Sequence, residues 1–119
     1  MSQNFSAGDF LVFQLEAGFA LLRLLFVDET NDPKVWHVAA YGDFFLDVET
    51  AESALTDIHS LTISNPHLAL TNRAFESTQV ARIGNIPLTD RENGSLAAWR
   101  KDPNRDVSDR SVRLMLGLR

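Results

Sequence analysis

Cysteine is absent from this chain of 119 residues. That absence removes disulfides, thiol nucleophiles and cysteine-ligated zinc, iron-sulfur or P450-type haem sites in one step, and it leans toward a reducing compartment. Glycine is sparse: Gly8, Gly18, Gly42, Gly84, Gly94 and Gly117 stand singly, which leaves neither a phosphate-cradling loop nor a dinucleotide fingerprint. No G-x-S-x-G occurs, so the serine hydrolase elbow is missing as well. Apolar runs break at charges or turn residues before the roughly 18 to 20 residues that a membrane helix needs. The opening Met1-Ser-Gln-Asn lacks the basic start and apolar centre of a signal peptide. The expectation is a cytoplasmic protein with no membrane partner and no cofactor.

What the chain does have is a core. At 45% hydrophobic and 23% charged, it suits one domain, residues 1–119. The richest stretch is Gly8 to Glu29, two apolar runs folded about Ala17-Gly18, which predicts a β-hairpin. In the second run Ala20, Leu22, Leu24 and Phe26 lie on one face, and Phe19, Leu21, Leu25 and Val27 on the other, interrupted only by Arg23. A strand apolar on both faces is covered on both faces.

The rest reads as shorter strands and brief helices. Asn31-Asp32-Pro33 is a turn, and Val35 to Tyr41 a strand that Gly42-Asp43 bends or converts into a further strand, Phe44 to Leu46. Asp47 to Leu55 predicts a brief helix with Thr50 able to cap it. Leu61 to Ser64 reads as a strand ended by Asn65-Pro66, and His67 to Thr71 as the next, followed by a turn at Asn72-Arg73. Gln79 to Gly84 alternates like an edge strand, with Val80 and Ile83 inward. Thr89-x-x-Glu92 fits a capping box, but Asn93-Gly94 interrupts, so Ser95 becomes the expected cap of a short helix through Trp99, before a polar connector, Lys101 to Arg105. Ser108 to Arg119 fits helix or strand, with the balance tipping to helix. The predicted fold is α+β and mainly antiparallel β: a small barrel or strongly bent sheet of five to seven strands with one to three short helices.

Chemistry-bearing residues do not converge on a motif. His37 reads as a half-buried strand residue sharing a face with Val35, Ala39 and Tyr41; His59 and His67 read as solvated loop residues able to meet across a hairpin, with no third ligand for a metal. Asp43, Asp47, Glu49 and Glu52 fall within ten positions, yet Asp43-Phe-Phe-Leu-Asp47 puts apolar groups where a calcium loop needs oxygens. They read as a solvated acidic edge. Trp36 and Trp99 read as core. No catalytic or metal-binding residue is expected.

Charge is divided along the chain. Residues 1–60 hold ten acids against Arg23 and Lys34, while residues 61–119 hold nine bases against six acids, for a net −5. In the last third Arg91, Arg100, Lys101, Arg105, Arg110, Arg113 and Arg119 alternate with Asp90, Glu92, Asp102, Asp106 and Asp109, which favours local ion pairs over a phosphate track and argues against nucleic acid. Either the halves interleave in the fold, or the acidic half presents a face to a basic protein or to a second copy of the chain.

The start Gly8-Asp-Phe-Leu-Val-Phe-Gln-Leu15 with Phe19-Ala-Leu-Leu-Arg23, and the later Ile83-Gly-Asn-Ile-Pro-Leu88, resemble the hairpin opening and the Ile-Gly-x-x-Pro-Leu segment of small bacterial immunity proteins from polymorphic-toxin systems. The similarity spans about half the chain and carries over no functional residue, since both segments are scaffold. It implies a non-enzymatic protein that binds and blocks a toxin in the cytoplasm. The candidate partner-binding residues are Asp43, Asp47, Glu49 and Glu52, with a ligand site in the mouth of a barrel, drawing on His37 or Arg23, as the alternative.

Overall fold

The apolar alternation of the opening segment becomes an antiparallel hairpin. In the computed structural model, which describes residues 5–30, 34–103 and 105–112, β1 (Asp9–Leu15) and β2 (Gly18–Asp28) pair from Phe10 opposite Arg23 to Leu15 opposite Gly18. The loop is Glu16-Ala17, one residue earlier than expected. Gly18 instead opens β2 with a φ of 155°, where a Cβ would collide with the carbonyl of Phe45. Only glycine permits that approach.

Three further strands, β3 (Val35–Phe45), β4 (Ile63–Thr71) and β5 (Ala81–Asn85), complete an antiparallel sheet in the order β4-β3-β2-β1-β5. The α+β class stands, but the sheet is open: β4 and β5 are separate edges, and it does not close into a barrel. β2 is the middle strand, and Ala20 to Leu25 are all buried, as its two-sided apolar character requires. One apolar layer holds Leu11, Phe13, Leu22, Leu24, Trp36, Val38 and Phe75; the other holds Phe10, Val12, Leu21, Tyr41 and Ala51. A register shift between Leu24 and Phe26 flips the expected alternation, so that Val27 packs on the first layer while Phe26 meets His37. One inserted residue reverses every side chain beyond it.

Two expected breaks are bridged. β3 runs unbroken through Gly42-Asp43 to Phe45, without a separate strand at Phe44 to Leu46. β4 runs through Asn65-Pro66 because Pro66 sits at a register shift on an edge strand, where a missing N–H interrupts no inner ladder.

Short helices fill the connections. α1 (Val48–Ala54) is capped by Asp47, whose carboxylate accepts from the Thr50 amide; Thr50 is not the cap. A 3-10 turn follows at Leu55–Ser60. Where a turn was expected, α2 (Asn72–Glu76) forms, since Thr71 caps it and Ala74 and Phe75 are drawn into the core. The capping box at Thr89 and Glu92 is complete, and α3 (Asp90–Lys101) continues through Asn93-Gly94, so Ser95 is interior. Burial of Leu96 offsets the glycine. Ser108 bridges to Leu70 at the β4 edge and Val112 is buried. The predicted turn at Asn31-Asp32-Pro33 and the segment 113–119, with Gly117, lie outside the described residues.

Candidate functional site

Arg23 is the most deeply placed charge. With 0% exposure, its guanidinium bonds both Glu92 oxygens, Oε2 at 2.9 Å and Oε1 at 3.1 Å, and the carbonyls of Gly8 at 2.6 Å and Pro87 at 3.0 Å, with the Phe10 ring 4.3 Å away. The Ile86 amide also donates to Gly8 O at 3.0 Å, and Asn85 Nδ2 to the buried Asp9 at 2.7 Å. The hairpin opening at Gly8 and the segment Ile83 to Leu88 thus meet here, held by Arg23 and the first turn of α3. Burial pushes the Glu92 carboxyl up, but the Arg23 bonds and charge, with the Thr89 amide, outweigh it and hold it below its ordinary value. Every charge in this cluster is spoken for.

The histidines are arranged differently from the sequence expectation. His37 does face the same side as Ala39 and Tyr41, yet it is fully buried, and its Nδ1 lies 2.9 Å from Nε2 of His67. His67 is therefore no solvated loop residue: it lies on β4, half-buried, diagonal to His37 across the β3/β4 ladder. Trp99 on α3 closes over both rings, at 4.7 Å and 5.4 Å between centroids, and is half-buried, unlike Trp36 in the core. Burial, then the nearness of His67, pushes His37 down to about 4, and burial lowers His67. His59 is exposed and apart. Among the described residues no group of three or more histidine, aspartate or glutamate side chains is placed to hold a metal.

The four candidate acids divide into two pairs. Asp43 accepts from the Thr62 amide at 2.6 Å, and Asp47 caps α1, where the Thr50 hydroxyl and amide hold its carboxyl below the usual range. Glu49 and Glu52 are exposed on α1. Between them and the hairpin tip stand Phe44, 58% exposed, and Leu46, 85% exposed. Gly18 packs on Phe45 and Leu46 backbone atoms, which brings Glu16 to the same end of the molecule. No lysine or arginine occurs between Lys34 and Arg73, or before Arg23. From sequence alone Phe44 to Leu46 reads only as a short strand, and their exposure beside the acids depends on where β3 ends against the hairpin tip.

A cavity of about 340 Å³ opens on the other layer, between β3, β4, the 3-10 turn and α3. Ala39, Tyr41, Ile58 and Leu61 line its apolar part, with His59, Arg91, Glu92 and Ser95 among its polar groups. Three of the remaining arginines are engaged locally: Arg73 with Asp109, Arg105 with the Arg100 carbonyl, and Arg100 over the Phe26 ring. Arg113 and Arg119 lie outside the described residues. No helix among the described residues is long and apolar enough to cross a membrane. Comparison with protein-family models, curated proteins and solved structures finds no match.

Proposed function

We propose that this chain is a non-enzymatic protein-binding module, of the kind that an immunity protein provides against a basic bacterial toxin, and that the partner docks on the acidic end formed by the β1–β2 turn, the end of β3 and α1. The observation that carries the reading is the pair Phe44 and Leu46, standing largely exposed on a segment whose charged residues are all acidic. Exposed apolar anchors within a like-charged rim supply contact area and steering to a partner of opposite charge. The groups best suited to catalysis are otherwise engaged, since Arg23 and Glu92 hold each other and His37 and His67 are packed beneath Trp99. Asp43 and Asp47 contribute field; Glu49 and Glu52 are the side chains free to make contact.

Affinity capture from the native cell lysate compares the wild-type chain with Glu49→Lys/Glu52→Lys and with Leu46→Ser. A partner retained by the wild type and lost by both variants, with melting temperatures unchanged, supports the reading. Capture of the same proteins in the same amounts by all three overturns it.

A further inference from the structure

Independently of the acidic end, we infer that the cavity between β3, β4, the 3-10 turn and α3 is a binding site for a small aromatic carboxylate. Its volume of about 340 Å³ lies at the lower end of ligand pockets, roughly 300 to 1,000 Å³, which suits a single ring with a short substituent. Tyr41, Ile58 and Leu61 give that ring an apolar bed.

The polar groups select the head. Tyr41 is 6% exposed, and its hydroxyl makes no hydrogen bond among the described residues. It is not walled off either, because it is not among the sealed and unbonded side-chain atoms, which among the described residues comprise Thr78 Oγ1 elsewhere in the fold. The hydroxyl therefore keeps some access to open space, and Tyr41 lines the cavity. Burial and the Glu92 charge push its pKa up to about 12, so it remains a neutral donor in need of an acceptor.

Three lining side chains carry or can carry charge: His59, Arg91 and Glu92. Glu92 is neutralised by Arg23 and bonded by Thr89, so it makes no call for a cation. Arg91 and His59 have no side-chain partner among the described residues. A guanidinium fork matches the two oxygens of a carboxylate. A phosphate or a dicarboxylate would bring more charge than one arginine offsets, in a chain of net −5.

Phenylacetate titrated into the full chain, followed by two-dimensional NMR, tests the site against phenethyl alcohol and phenethylamine. Saturable shifts centred on Tyr41, Leu61 and Arg91 are expected, with a Kd on the order of 1 mM for so small a ligand. The alcohol and the amine should bind about tenfold more weakly or not at all, Arg91→Ala should weaken phenylacetate about tenfold, and Tyr41→Phe should weaken it severalfold. Arg91 is exposed, so its variant folds even if Tyr41→Phe does not. Equal binding of the alcohol, unaltered binding by Arg91→Ala, or no saturable shift at about 10 mM phenylacetate overturns the assignment.

Discussion

Arg23 shows how a charge survives in the middle strand of a sheet. Four of its N–H groups find acceptors, two of them on one carboxylate, so desolvation is compensated by geometry. Removing one partner leaves the other charge stranded. Arg23→Ala is expected to lose about 3 to 5 kcal/mol in urea denaturation, while Arg23→Met with Glu92→Leu should recover part of it; a single variant within about 1 kcal/mol of wild type would contradict the role.

The histidine pair makes a second prediction at this scale. His37 in the folded chain sits at about 4, below its ordinary 6.5. As pH falls through 6.5 the unfolded chain takes up a proton that the folded chain refuses until about 4, so stability declines with falling pH across that window. The decline should reach up to about 3 kcal/mol, at about 1.4 kcal/mol per pKa unit, and should shrink in His37→Asn. The Glu92 carboxylate, held below its ordinary 4.5, adds a loss only at lower pH. Denaturant melts at stepped pH separate the two.

At the scale of elements, α3 exposes a competition between local and tertiary signals. Its capping box at Thr89 and Glu92 was legible, and so was the interruption at Asn93-Gly94; what the sequence did not display was Leu96 seated in the core and Glu92 clamped by Arg23. Gly94 has open space where a Cβ would stand, so Gly94→Ala should raise stability by about 0.5 to 1 kcal/mol. Thr89→Ala should lower it by about 1 kcal/mol. Thermal melts of both check the helix, and a destabilised Gly94→Ala would mean that the position serves something other than flexibility.

The strands were legible where apolar spacing is a property of the segment itself, as in β1, β2 and β5. They were misread where a neighbour decides: Pro66 is tolerated because β4 is an edge, and Phe26 and Val27 exchange faces because β3 imposes a bulge. The His37 and His67 contact spans 30 positions and depends on the β3/β4 register, which periodicity does not encode. Reading β4 as one strand would have placed His67 beside Ala69 on the face of His37. The cavity was out of reach for the same reason, since its walls come from four separate elements.

At the scale of the whole molecule, the charge halves interleave in the sheet, while one stretch of the first half stays purely acidic in sequence. Sequence order places β4 and β5, from the second half, at opposite edges, and Glu92 of α3 against Arg23 of the first-half hairpin. The segment between Lys34 and Arg73, which includes α1, carries five acids and no lysine or arginine of its own. Association through the acidic end should therefore slow as salt rises, since the screening length falls from about 10 Å at 0.1 M to about 3 Å at 1 M. Stopped-flow mixing of the chain with its captured partner at stepped ionic strength measures this, and a salt-independent rate would remove steering from the account.

The two rims of the sheet are not equivalent. β4 carries Pro66, which lacks an N–H, and is met by Ser108 near its far end, whereas β5 offers five residues with no strand beyond them among the described residues. Among the described strands β5 is thus the less obstructed rim for strand addition. Two copies joined β5 to β5 would cover both of those rims and leave only the β4 edges, each carrying a proline, for a further strand to join.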